Sequence, residues 1–199
     1  MKRIVSSLAF ATGMLASSAF AATTTYTAVA SGPAEAVPVA SPGYSIATIV
    51  IDDVANTLQL SSPFSQLLGN TTGAHIHAAT ATPLTGTAGV AVPLDGFPLG
   101  ETSGTYAATF NLLDAGTYTA AYLSANGGSV RTARDALLSD IIENRAYLNI
   151  HTNLYPGGEI RGFIVANPVP EPSTYAMLAL GLAGVGFAAR RKQRAKEVA

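Results

Sequence analysis

Through the middle of the chain, apolar and polar residues alternate in short runs that are cut apart by Gly, Pro and Asp. From Tyr44 the pattern is sharp: Ile46, Ile49, Val50 and Ile51 lead to Asp52-Asp53, and Thr57-Leu58-Gln59-Leu60 resumes the alternation. Two β-branched runs around an Asp- and Asn-bearing loop predict a hairpin. Thr23–Ala30 predicts a first strand, and Gly32–Pro42, with its three prolines, a loop. Gly73-Ala74-His75-Ile76-His77 predicts a strand after the turn over residues 69–73, and Val90–Leu94 a short one inside a Gly/Pro/Thr-rich stretch. Thr105–Leu112 and Thr117–Leu123 predict two more, parted by Asp114-Ala115-Gly116. Tyr147–His151, the turn Pro156-Gly157-Gly158 and the run Glu159–Val165 predict a closing antiparallel hairpin. Proline fixes, and glycine permits, the backbone angles such a reversal needs.

One stretch keeps a different period. Between Arg131 and Asn144 the residues Ala133, Leu137, Leu138, Ile141 and Ile142 recur three to four apart, and Thr132-x-x-Asp135 has the form of a capping box. This predicts one short helix. Many short strands with frequent turns and a single helix predict an all-β domain, an immunoglobulin-like or Greek-key β-sandwich or barrel.

The two ends follow another logic. Met1–Ala21 begins with Lys2 and Arg3, runs apolar from Ile4 to Leu15 and closes on Ala19-Phe20-Ala21, the parts of a secretory signal peptide cut by signal peptidase. After Pro170-Glu171-Pro172, residues 173–189 are free of charge; at about 1.5 Å per residue they predict a single transmembrane helix at the short end of a bilayer span. The tail 190–199 carries Arg190, Arg191, Lys192, Arg194 and Lys196, which should stay in the cytoplasm and leave the preceding domain outside. The chain thus divides into a leader over 1–21, a domain over 22–167 and a C-terminal segment over 168–199.

Charge sharpens the picture of the middle domain. It holds four arginines, no lysine and ten carboxylates, a net charge of −6, which sets nucleic-acid binding aside. There is no cysteine, hence no disulfide and no thiolate site. No G-x-S-x-G elbow, H-E-x-x-H helix or phosphate-binding glycine loop occurs, so no enzyme activity is expected.

The candidate chemistry lies in the three histidines. Strand alternation puts His75 and His77 on one face, and Tyr147, Asn149 and His151 on one face of the later strand. Glu159, Arg161 and Phe163 share a face of the last run. If these faces meet, His75, His77 and His151, with Glu159 as an oxygen ligand, suit zinc or copper. The other reading is a structural polar network of Asn149, Glu159 and Arg161, with the imidazoles hydrogen-bonded inside it.

Two resemblances add to this. GAHIH followed by AYLNIHTNLYPGGEIRG resembles the CHRD domain, a module named after chordin and found in bacterial secreted proteins, over roughly Thr23–Val165. VPEPSTYAMLALGLAGVGFAARRKQRA resembles the PEP-CTERM sorting signal: a Pro-Glu-Pro motif, an apolar helix and a basic tail, in that order. The second resemblance implies recognition by an exosortase, cleavage near Pro170, Glu171 and Pro172, and an intermediate held transiently at the inner membrane. It also implies final placement at the surface of a Gram-negative cell that builds exopolysaccharide or biofilm. Together they lead us to expect an exported cell-envelope or extracellular-matrix protein, a structural or binding module with exopolysaccharide or other matrix components as partners. The alternative is a secreted protein that binds zinc or copper through its three histidines.

Overall fold

The computed structural model describes residues 23–167 and 178–185. The predicted leader, the Pro170–Pro172 motif, the basic tail and most of the predicted span lie outside them; residues 178–185 are helical. No described helix is long and apolar enough to cross a membrane.

Eight strands form where the alternation predicts most of them: β1 (Thr23–Ser31), β2 (Tyr44–Asp52), β3 (Thr57–Ser65), β4 (Thr71–His77), β5 (Val90–Pro93), β6 (Gly104–Asn111), β7 (Tyr147–Thr152) and β8 (Ile160–Ala166). The fold is mostly β, as expected, but the strands do not divide into the two packed sheets of a sandwich. They form one antiparallel sheet in the order β5-β4-β7-β8-β1-β2-β3-β6, curled into a half-barrel. The reason is β1, which pairs with β2 on one side and with β8 on the other. It thereby joins the N-terminal strands to the histidine-bearing ones. Gly162 permits the junction: a Cβ there would run into the main chain of Val29.

The inner face of the curl carries the core. Ile49 on β2, Leu58 and Leu60 on β3, Ile76 on β4, Leu148 and Ile150 on β7, and Ile160 and Ile164 on β8 are all buried. Registered pairs such as Ile49↔Leu60, Ile76↔Leu148 and Ile150↔Ile160 continue this face from strand to strand. Removing so much apolar surface from water is the main stabilising term.

Two helices cover part of this face, not one. α1 (Ala120–Ala125) occupies the second half of the stretch Thr117–Leu123 predicted as a strand, preceded by a 3₁₀ turn at Ala115–Thr117. Thr119 caps it by accepting from the Tyr122 amide. Tyr118 and Tyr122 both turn inward, their hydroxyls donating to the Leu112 carbonyl and to Asp140. α2 (Val130–Ile142) buries Ala133, Leu137 and Ile141 as its period predicts, but leaves Leu138 half-buried and Ile142 exposed. Its cap is Ser129, whose side chain accepts from the Thr132 amide, so the expected capping box at Thr132 is not the one used.

The outer face of the β4-β7-β8 part is also covered. Arg161 donates from Nε to the Ala34 carbonyl (2.6 Å) and from Nη1 to the Gly86 carbonyl (2.7 Å). The 32–42 and 78–89 segments are thus clamped over these strands. All three histidines lie under this cover or at its rim.

Candidate metal centre

On the outer face of β4 and β7 the register sets His77 opposite Tyr147, His75 opposite Asn149 and Gly73 opposite His151. His75 and His77 share the face by alternation, and His151 lies diagonal to His75. The imidazoles converge: ring centroids are 4.9 Å apart for His75 and His151, 5.7 Å for His75 and His77, and 5.8 Å for His77 and His151. One ring nitrogen from each lies within 4.8 Å of the others.

Two of the rings are held by main-chain carbonyls. His77 Nδ1 is 2.9 Å from the Ala88 carbonyl oxygen, and His151 Nδ1 is 2.9 Å from that of Pro156. A carbonyl only accepts, so each Nδ1 carries the proton and each Nε2 keeps its lone pair. This is the arrangement in which a second contact fixes the tautomer of a metal-binding imidazole. His77 Nε2, His151 Nε2 and His75 Nδ1 are buried without any hydrogen-bond partner. Buried polar atoms are nearly always paired, so an orphaned nitrogen on each of three clustered rings marks an unfinished polar site.

The electrostatics keep the rings neutral. Burial pushes His75 down to about 4, helped by His151 and His77 and opposed by Asp95. Burial also lowers His77, against the pull of the Ala88 carbonyl, with His151 and Arg161 adding to the shift. It lowers His151 against the Pro156 carbonyl. Neutral imidazoles are the form that ligates. His75 also borders a cleft of about 220 Å³ lined by Gly73, Pro93, Leu94 and Asp95.

Glu159 does not join the cluster. It sits one residue before β8 pairs, wholly buried, and accepts from Ser41 Oγ (2.6 Å), the Leu68 amide (2.6 Å), the Gly69 amide (3.0 Å) and Thr152 Oγ1 (2.8 Å). Burial works against its charge, but these four donors hold its carboxyl below the usual range. Nor do Asn149, Glu159 and Arg161 bond to one another among the described residues. Asn149 makes a long contact (3.4 Å) to the Gly157 carbonyl, and Arg161 serves as the clamp described above.

Alternation places Tyr147 on the face of His151 and the polar-network reading names Arg161, but neither gives their contacts here, and nothing points to Glu35. Tyr147 stacks on His77 (centroids 4.9 Å, planes 3° apart), and its hydroxyl accepts from the Ala88 amide (3.2 Å). It therefore steadies the very residue whose carbonyl orients His77. Arg161 lies over Tyr147, 5.1 Å from the ring centroid, and over Phe163 at 5.5 Å. Glu35, in the proline-rich loop, places Oε2 3.9 Å from Arg161 Nε and leaves Oε1 buried without a partner. Its carboxyl is pushed up to about 7 by burial, despite Arg161 and the Ala36 amide.

The family model of the CHRD domain matches residues 26–164, a span that includes all three histidines and every strand in full or in large part. The PEP-CTERM protein-sorting motif matches residues 168–192. No curated protein matches the chain. With the first match covering well over half its length, the chain belongs to the CHRD domain family and carries a PEP-CTERM sorting motif after the domain.

Proposed function

We propose that this is an exported CHRD protein whose domain acts as a metal-binding module at the cell surface or in the matrix of a Gram-negative cell, and not as an enzyme. The PEP-CTERM motif implies export, a membrane-anchored intermediate and processing by an exosortase. One observation carries the metal reading: three imidazoles, each with a buried nitrogen that has no hydrogen-bond partner, bring one ring nitrogen apiece within 4.8 Å of one another. Zinc and copper are the ions such a nitrogen set suits.

The test is metal content and thermal stability of the full chain, with and without chelator. An ion bound only by the folded state at a hundred times its Kd adds about 2.7 kcal/mol. We expect stoichiometric metal, a melting point that falls on chelation, and loss of both effects in His151→Ala. A metal-free protein whose melting curve ignores added zinc and copper would leave the histidines as packing groups and the domain as a structural module. Sorting is tested separately. Replacing Pro170 and Glu171 should trap the chain at the inner membrane, and an untrimmed basic tail on the surface protein would count against processing.

A further inference from the structure

We infer that the ion selected by His75, His77 and His151 is copper in its cuprous state, in preference to zinc. This rests on the reading of these residues as ligands. Three features carry it. First, the donor set stops at three: among the described residues no fourth His, Cys, Asp or Glu comes within reach of the cluster. Structural zinc is almost always four-coordinate, and a three-protein-ligand zinc site is completed by water. A cuprous ion is satisfied by three nitrogens.

Second, each ring has a nitrogen screened from water. His75 Nδ1, His77 Nε2 and His151 Nε2 are all shut off from solvent, while the cleft beside Asp95 reaches His75 alone of the three.

Third, charge favours the lower valence. The ligands are neutral and bring no anion. The guanidinium of Arg161 acts on His77, across the Tyr147 ring on which both pack. Glu35 lies 3.9 Å from Arg161 and offsets it in part, Glu159 is bonded elsewhere, and Asp95, which acts on His75, is exposed. The cost of moving an ion from water into a low-dielectric site rises with the square of its charge, so a divalent ion meets roughly four times the penalty of a monovalent one.

The experiment titrates the full chain anaerobically with Cu(I) against a coloured cuprous chelator, and in parallel with Zn(II) against a zinc indicator. X-ray absorption is then recorded on the copper-loaded wild type. We expect one Cu(I) per chain, held at least about a thousandfold more tightly than Zn(II), with an edge and shell of three nitrogen donors. His75→Ala and His151→Ala, checked for folding by circular dichroism, should each lose it. Zinc bound as tightly as Cu(I), through the same histidines, would overturn this inference and leave the metal reading standing. Cu(I) that persists in both variants, or a sulfur-containing shell, would place the ion elsewhere and overturn it too. Neither ion bound by the wild type would remove the metal reading and this inference with it.

Discussion

The two halves of the sheet obey the same strand geometry under different cover. In β3 burial alternates along the whole strand, with Leu58, Leu60, Ser62 and Phe64 inward and Gln59, Ser61 and Pro63 exposed. In β7 every residue but His151 is buried, because the 32–42 and 78–89 segments lie on its outer side. A face open to water can carry Thr and Ser at no cost in hydrogen bonds. A covered face cannot, since each polar group there needs a partner within the protein. Most find one, as Arg161, Glu159 and Thr152 do. Those that do not, the three imidazole nitrogens together with Glu35 Oε1 and Asn149 Oδ1, are therefore the informative ones.

The sharpest way to break this contrast is at Glu159, which ties Ser41, the 68–69 turn and Thr152 to the start of β8. Glu159→Ala strands two amides and two hydroxyls in a dry place, and each buried polar group left unpaired costs about 1–3 kcal/mol. We expect a loss of at least about 3 kcal/mol by denaturant unfolding. Glu159→Gln, which keeps the acceptor oxygen on one side, should lose less. A variant as stable as the wild type would mean that the covered half is wetter than its burial indicates.

Much of this half was legible, and the reason is the period of two. Alternation alone puts His75 with His77 and Tyr147 with His151, and the Pro-Gly-Gly turn closes β7 onto β8. The Thr117–Leu123 stretch misleads because residues four apart share a face in a strand and in a helix alike, so Tyr118 and Tyr122 fit both. The single sheet was not legible either: it depends on β1 meeting β8, a pairing between segments more than a hundred residues apart that leaves no local trace. Glu159 keeps the parity of Arg161 but precedes the paired strand, so alternation assigns it to the wrong neighbours. The carbonyls of Ala88 and Pro156 belong to the main chain, and no residue type announces them. That is why three histidines could be picked out in advance and their orientation could not.

A pH titration separates two groups under the same cover. In the metal-free chain His75 protonates near 4 when folded and near 6.5 when not. Between those values the unfolded chain binds more protons, so the stability His75 contributes is whole above about 6.5 and lost as pH falls towards 4. Glu35 runs the other way. Its folded value of about 7 lies above its ordinary value of 4.5, so its contribution is whole below 4.5 and lost as pH rises through 7. Glu35→Gln should accordingly be more stable than the wild type at pH 8 and about equal to it at pH 4.5. Urea midpoints at the two values measure this; a variant that gains nothing at pH 8 would mean that the Arg161 pair outweighs burial.

The smallest effect is expected on the open half, and it serves as the control for the rest. Thr48 and Gln59 stand on the outer face of β2 and β3 and border a shallow, solvent-facing depression with Ser61 and Thr109. Among the described residues no loop crosses them with a clamp like Arg161, so a truncated side chain is replaced by water and strands no partner. Gln59→Ala should shift stability by no more than about 0.5 kcal/mol, the usual range for exposed positions away from caps and buried networks. A loss of about 2 kcal/mol or more there would show that something covers this face as well. The two halves would then differ only in which cover the described residues supply.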